Sequence, residues 1–187
     1  AVNSLWMDLE YYKDRKDWAQ MLSTTQSIIR LQPHFEKVWD YNGHNLAYNT
    51  SAEWDAVPDR WYWVKEGGKF LQKGVDRNQN STELLYRVGT IYQKKIGIAD
   101  EQKYYRQYFR KDPDPKFEGP DPEINPNGED SYLVARQWYL RANDKELIRP
   151  QHILDESLFR SHPARCLFDY AQALQKEFTG SGSRVGI

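Results

Sequence analysis

Two helical stretches on either side of a short turn constrain the fold of this chain more than any other feature. In the first, Leu85, Val88 and Tyr92 recur at spacings of three and four residues, which places them on one face of a helix. Gly89 lies on the same face, and because it has no side chain we expect a neighbouring helix to approach closely there. The second stretch carries tyrosines at helical spacing and ends at Pro113, where a helix cannot continue.

This segment resembles a unit of the tetratricopeptide (TPR) repeat family. Such a unit carries a large residue, a Leu-Gly pair, a tyrosine, a late aromatic residue and a closing proline over about 34 residues. With Gly89 at the glycine position, Leu85 and Tyr92 occupy the large and tyrosine positions. Tyr105 and Pro113 match the late aromatic residue and the closing proline. The resemblance implies an all-α fold, an irregular TPR-like superhelix of helical hairpins.

Two similar units precede this one, so we predict a TPR-like array over residues 1–113. Its units lie at about 4–33, 35–79 and 80–113. The first ends at Pro33, and the second repeats the large-residue and glycine spacing with Trp39 and Gly43. Residues 49–59, NTSAEWDAVPD, lengthen the second unit where a regular TPR has a tight turn. Insertions in repeat proteins usually lie on one face and often bind partners, which makes this one a candidate site.

The composition changes beyond the array. Residues 114–130 are rich in proline and acidic residues and predict an extended linker or a long loop. Residues 131–178 predict C-terminal helices, with an irregular stretch at 144–162 and a last helix that starts near Pro163. Residues 179–187 predict a flexible tail. The last helix resembles helix A of a TPR unit through Leu167, Tyr170, Ala171 and Leu174.

The composition also excludes several classes of protein. A net charge of −1 is unlike the basic surface of a general nucleic-acid-binding protein. No run of about 18 apolar residues occurs, so no transmembrane segment is predicted. The single cysteine, Cys166, excludes an internal disulfide and a cysteine-based zinc site. Because the chain starts at Ala1, we expect upstream residues to have been removed, with a signal peptide, a membrane anchor and a shortened chain as alternatives.

No catalytic or metal-binding motif is recognisable. The four histidines lack the spacing of zinc ligands, and the usual nucleophile, phosphate-loop and dinucleotide-binding patterns are absent. Cys166 lies on the apolar stripe of the last helix and is predicted to be a packed thiol. Gly67 and Gly68 lie inside a helical pattern and predict close helix packing or a local kink. The sequence therefore predicts a protein without catalytic residues, metal or cofactor.

The most unusual local feature is the aromatic cluster of Trp54, Trp61, Tyr62 and Trp63. Successive residues of a helix point about 100° apart, so the three consecutive aromatic residues cannot all face the same way. One interpretation is that the 49–59 insertion folds back and buries them as a small core. The other is an aromatic platform for a peptide, a glycan or a partner subunit, because aromatic residues are favoured interface anchors.

The A helices of TPR arrays line a concave groove, and the resemblance implies groove positions in this chain. These are Asn42, Asn45, Asn49, Arg87 and Lys94. Asparagine side chains offer both a donor and an acceptor, and can therefore hold an extended peptide backbone. The alternative is an ordinary solvated polar face.

A second resemblance concerns location. Residues 31–55 and 160–178 are similar to a family of uncharacterised bacterial TPR-containing proteins that are typically predicted to be membrane-anchored and exported. This resemblance implies an extracytoplasmic location, with the cytoplasm as the alternative. It implies nothing about chemistry.

The sequence favours a non-enzymatic scaffold that binds a peptide segment or a partner protein through the groove, the aromatic insertion, or both. One alternative is a structural subunit of a larger complex, membrane-associated or not, in which fixed partners bury the aromatic residues. The other is an enzyme or ligand-binding protein whose groove site no motif reveals. The predicted partner-binding residues are Asn42, Asn45, Asn49, Trp54, Trp61, Trp63, Arg87 and Lys94.

Overall fold

A computed structural model describes residues 2–151 and 155–182, and within these ranges the fold is all-α, as predicted. The helices are α1 (Val2–Asp14), α2 (Trp18–Leu31), α3 (Glu36–His44), α4 (Val57–Arg77), α5 (Thr82–Thr90), α6 (Gln102–Arg110), α7 (Ser131–Ile148) and α8 (Glu156–Gly182). Two of them, α3 and α5, continue without a break as π-helical turns. These turns span Asn45–Thr50 and Ile91–Ile98.

The helices pack as a row of neighbours along the chain. The pairs α1 with α2, α3 with α4, and α7 with α8 are in contact, and α2–α3 and α4–α5 contacts join the pairs. The α-helical part of α5, Thr82–Thr90, packs chiefly against α7, whereas α6 contacts the π-helical turn that follows it. Helix α7 therefore belongs directly to the row.

Helix α2 shows how the sequence sets the local structure. Asp17 caps its first turn by accepting a hydrogen bond from the backbone N–H of Gln20. Met21, Thr25 and Ile28 recur at spacings of four and three residues and are buried. The apolar stripe thus faces the core.

Glycines bring α3 and α4 into backbone contact. A Cβ atom at Gly67 would lie 2.7 Å from the carbonyl oxygen of Gly43 and 2.8 Å from the backbone nitrogen of Ala47. At Gly89 an added Cβ would lie 2.9 Å from the ring of Tyr139 on α7. The close packing predicted at Gly67 and Gly89 is therefore confirmed, and α7 is the neighbour that Gly89 admits.

The proline-rich residues 114–130 form no helix or strand, but they pack against the helices rather than extend away from them. Asp121, Ile124 and Asn125 are buried. The side chain of Asn125 donates to the carbonyl of Phe109 at 2.8 Å and accepts from the N–H of Glu129 at 3.0 Å. We call residues 112–130 the acidic segment.

A buried ion-pair network fixes the acidic segment to α4. Lys65 Nζ lies 2.8 Å from Asp112 Oδ2 and 3.3 Å from Asp121 Oδ2, and Lys69 Nζ lies 2.7 Å from the same Asp121 oxygen. Burial alone would raise the pKa of Asp121, but the hydrogen bond from Lys69 and the charge of Lys65 hold that pKa below its ordinary value. Each buried charge thus has a partner, which offsets the cost of its desolvation.

The C-terminal region differs from the sequence prediction. Helix α7 continues to Ile148 and α8 starts at Glu156, so much of the stretch predicted to be irregular is helical, and residues 152–154 lie outside the described part. Pro163 lies inside α8 rather than at its start. It removes one backbone hydrogen bond, but the burial of neighbouring α8 side chains maintains the helix. Of the predicted tail, residues 179–182 belong to α8 and residues 183–187 lie outside the described part.

The glycine contact between α3 and α4 predicts a destabilised Gly67→Ala variant. Its methyl group would meet backbone atoms that cannot rotate away. We expect the free energy of unfolding to fall by about 1–3 kcal/mol in urea denaturation, despite the better helix propensity of alanine. Gly119→Ala is the control, because a Cβ there meets no atom within 4 Å. Equal stability of Gly67→Ala and the wild type would contradict the close contact.

The buried network predicts a large effect of Lys65→Met. This change leaves Asp112 and Asp121 buried with one cation fewer. We therefore expect the free energy of unfolding at pH 7 to fall by about 3–5 kcal/mol. Because Asp121 has a lowered pKa in the fold, its contribution is present above its ordinary pKa of 3.8 and is lost as the pH falls through the folded value. The difference in the free energy of unfolding between Lys65→Met and the wild type should therefore become smaller in acid. Lys37→Met, which removes a surface ion pair with Glu83, should change stability by less than about 1 kcal/mol.

Candidate functional site

Three neighbouring aromatic side chains lie where the turn between α3 and α4 meets the start of α4. Trp54 is 43% exposed, and its ring centroid lies 6.4 Å from that of half-buried Trp63, with 28° between the ring planes. Tyr62 is 50% exposed and meets Trp63 edge-on, with centroids 5.2 Å apart. We call Trp54, Tyr62 and Trp63 the aromatic patch.

Trp61 points in a different direction and belongs to the core. It is 1% exposed and packs against Tyr105 and Phe109 of α6. Its indole N–H donates to Asp112 at 3.2 Å. The prediction that Trp61 contacts a partner is therefore wrong, because the 100° step between successive residues turns it inward while Tyr62 and Trp63 stay outside.

Ion pairs fix the turn that carries the aromatic patch. The guanidinium of Arg60 donates to the carbonyl of Trp54 and pairs with Glu101, which follows the π-helical end of α5. Lys16, between α1 and α2, pairs with Glu53 at 2.9 Å. The patch is thus held between two neighbouring interhelical turns.

Four carboxylates are close to the aromatic patch in the chain. Glu53 and Asp55 flank Trp54 in the chain. Asp59 and Glu66 lie on the same face of α4 as Tyr62 and Trp63, three to four residues before and after them. Asp55 and Asp59 are exposed, and neither forms an ion pair with another residue that the structure describes. The surroundings of the patch are therefore acidic.

A second surface lies along α3 and α5 and consists of polar residues. Arg87 Nε lies 3.1 Å from Asp40 Oδ1, so this predicted groove residue is held by its own chain. His44 stacks on Tyr48 with centroids 4.4 Å apart, and Lys95 Nζ lies 5.1 Å from the centroid of the same ring. Burial raises the pKa of Tyr48 to about 12, so its hydroxyl stays neutral. Lys94, also predicted, is exposed at the edge of this surface.

Two of the three predicted asparagines are buried. Asn42 is fully buried, accepts from the hydroxyl of Thr25 at 2.6 Å and donates to the carbonyl of Val38 at 2.9 Å. Asn45 is also buried and accepts from the side chain of Asn49, which is exposed. The prediction of Asn42 and Asn45 as groove residues is therefore wrong: Asn42 links α2 to α3, and Asn45 lies inside the π-helical turn. Asn49 alone stays at the surface.

A buried histidine joins α8 to α5, and the sequence did not reveal it. His162 Nδ1 lies 2.8 Å from the carbonyl of Leu158 and therefore donates to it, which leaves Nε2, at 3.1 Å, to accept from the hydroxyl of Tyr86. Burial lowers the pKa of His162, so the ring is neutral near pH 7. Its partners are 76 residues away in the chain or in its own helix, and no local motif signals such a pair. Both ring nitrogens therefore form hydrogen bonds within the protein.

Two features are absent from the residues that the structure describes. Among residues 2–151 and 155–182, no group of three or more His, Cys, Asp or Glu side chains converges as metal ligands would. No helix in the described part of the chain combines the length and the apolar character needed to cross a membrane.

Comparisons of the chain with protein-family models, with curated proteins and with solved structures gave no match. The aromatic patch and the polar surface of α3 and α5 are therefore the basis for a functional proposal.

The environment of Cys166 predicts an unreactive thiol. The side chain is fully buried, and burial raises its pKa to about 12. At pH 8 only about one thiol in ten thousand would be ionised. We expect a thiol-specific chromogenic disulfide reagent to leave the folded protein unlabelled and to label one thiol after unfolding in urea.

A matched control for this labelling is Ala164→Cys in a Cys166→Ala background, because residue 164 is exposed on the same helix. This thiol should react within minutes in the folded protein. Rapid labelling of Cys166 itself would mean that α8 separates readily from α7.

Proposed function

We propose that this protein is a non-enzymatic scaffold, built as an irregular TPR-like superhelix, that binds a peptide segment or a partner protein through the aromatic patch. The observation that carries the proposal is the exposure of Trp54, on the turn between α3 and α4, and of Tyr62, on α4, beside Trp63. Large aromatic side chains gain much free energy when a partner covers them.

The contacts of Arg60 support a binding role. Its side chain joins the Trp54 carbonyl to Glu101 and so restricts the conformation of the turn before a partner binds. An interface that is already in position loses less free energy to ordering than a mobile loop does.

A repeated local pattern supports the TPR-like architecture. Gly43 of α3 and Gly89 of α5 each precede the start of a π-helical turn by two residues. A Cβ at Gly43 would collide with Leu71 of α4, just as one at Gly89 would collide with Tyr139 of α7. Each glycine thus admits a neighbouring helix, which for Gly43 is the next helix in the chain and for Gly89 is α7, beyond α6.

The pairing of polar groups supports binding over catalysis. Arg87 is engaged by Asp40, and both nitrogens of His162 have partners within the chain. Catalytic groups usually combine a perturbed pKa with access to a substrate. The buried His162 and Cys166 have the perturbed pKa without the access.

A second candidate function, a structural subunit of a larger complex, is favoured by the outer face of α8. Leu167, Leu174 and Phe178 recur there at spacings of seven and four residues and are all exposed, and Phe168 is exposed beside them. An apolar stripe of this kind marks a surface that a fixed partner covers. Sedimentation velocity distinguishes the two candidates, because self-association that depends on Leu174 would favour the subunit.

The location remains part of the proposal. The resemblance to exported bacterial TPR-containing proteins favours an extracytoplasmic, membrane-anchored protein, with the cytoplasm as the alternative. A scaffold that acts on exposed segments of other proteins fits either compartment.

Selection of binding peptides from a phage-displayed library tests the scaffold proposal. Peptides enriched on the wild type should lose at least about tenfold in affinity for a Trp54→Ala/Tyr62→Ala variant, because both side chains are exposed anchors. A Tyr11→Ala/Tyr104→Ala variant is the control, since it removes two exposed aromatic residues outside the patch. Circular dichroism should show that both variants remain folded.

The alternatives give different results in this selection. Peptides that bind all variants equally would move the site to the polar surface of α3 and α5. Failure to enrich any peptide would count against the scaffold and favour the structural subunit.

A further inference from the structure

Some aromatic rings elsewhere on the surface of this protein have one of the chain's own cations over them. The guanidinium of Arg141 lies 4.1 Å from the ring centroid of Trp138, and that of Arg15 lies 4.6 Å from the centroid of Tyr11. Contacts of this kind are attractive because the face of an aromatic ring is negative. The chain thus repeatedly pairs surface rings with arginine or lysine.

The aromatic patch differs from these rings. In the described part of the chain, no Lys or Arg side chain lies over Trp54, Tyr62 or Trp63. The two nearest cations are engaged elsewhere, since Arg60 bonds the Trp54 carbonyl and Glu101, and Lys16 pairs with Glu53. The ring faces of the patch are therefore not covered by a cation of this chain.

The charges around the patch have the sign that would attract a cation. Asp55 follows Trp54 directly, and Asp59 lies on the same face of α4 as Tyr62 and Trp63. Neither carboxylate has an ion-pair partner among the described residues, and both are exposed. A ring face next to a carboxylate binds a guanidinium or ammonium group by cation–π attraction and a charge-assisted hydrogen bond together.

We propose that the aromatic patch binds an arginine or lysine side chain of a basic protein segment, with Trp54 and Tyr62 as ring contacts and Asp55 and Asp59 as ion-pair partners. The inference rests on the proposed scaffold function and specifies the chemistry of its partner. An acidic segment would be repelled by the same carboxylates, and a neutral segment would leave them unpaired.

Three labelled peptides of ten residues test the proposal, with alternating Arg-Ser, Gln-Ser and Glu-Ser sequences. Fluorescence anisotropy measures affinity, and the indole N–H resonances of Trp54 and Trp63 report where a weakly bound peptide contacts the protein. We expect the Arg-Ser peptide alone to shift these resonances. We also expect its affinity to fall at high salt, because exposed charges are screened.

Two variants identify the groups that recognise the cation. Asp55→Asn/Asp59→Asn and Trp54→Ala/Tyr62→Ala should each weaken Arg-Ser binding by about tenfold. Asp8→Asn/Asp76→Asn is the matched control, because it removes the same net charge from exposed positions outside the patch. If the control loses as much affinity for the Arg-Ser peptide, the effect is one of net charge alone, and the proposal is wrong.

The outcomes separate this inference from the scaffold function beneath it. If the Gln-Ser peptide binds as tightly as Arg-Ser and Trp54→Ala/Tyr62→Ala abolishes both, the scaffold function stands and the cation specificity is wrong. If none of the three peptides shifts the indole resonances while library peptides still depend on the patch, the cation specificity is again wrong. If library peptides also fail to bind, the scaffold function itself is wrong.

Discussion

The backbone contact of α3 and α4 at Gly43 and Gly67 is the constraint on which the rest of the structure depends. Because a Cβ at Gly67 would lie 2.7 Å from the Gly43 carbonyl, this side of α4 packs against α3 without room for a side chain. The helical period then determines the other sides of α4. Trp61 and Lys65 point towards α6 and the acidic segment, whereas Tyr62 points to solvent. One close contact thus decides which aromatic residues become core and which become surface.

The buried lysines of α4 make the acidic segment part of the fold. Lys65 and Lys69 could not remain charged in the interior without counter-ions, because an unpaired buried charge is very costly. Asp112 and Asp121 supply those counter-ions, although they come from a stretch with no regular secondary structure. A proline-rich sequence between helices is therefore compatible with a packed segment when its carboxylates neutralise cations on a neighbouring helix. Its composition therefore resembles that of a linker, although its carboxylates have a structural role in this protein.

Periodicity predicted the helices and the close-packed glycines, since both depend on residues near one another in the chain. The TPR resemblance, rather than periodicity, implied that Asn42 and Asn45 line a groove, and both are instead buried between helices of this chain. The local pattern failed at Pro163, because the buried contacts of His162 and Cys166 with distant helices outweigh the local preference for a helix start. The partners of Trp61 and His162 lie roughly 50 to 75 residues away, and no local pattern contains them. The candidate site was thus predicted only in part, through Trp54 and Trp63.

The distribution of charge is the reason that we propose the aromatic patch, and not the polar surface of α3 and α5, as the partner-binding surface. On α3 and α5 the cations and carboxylates are placed opposite one another, and Lys95 and His44 cover the ring of Tyr48. A partner that bound there would first have to break these contacts, and the free energy gained would be reduced by that loss. At the aromatic patch the nearby cations are bonded to the turn and to neighbouring carboxylates, so the exposed parts of Trp54 and Tyr62 and the carboxylates of Asp55 and Asp59 have no cation of this chain to displace. The ion pairs that hold the turn are therefore also what keeps its cations away from the exposed rings.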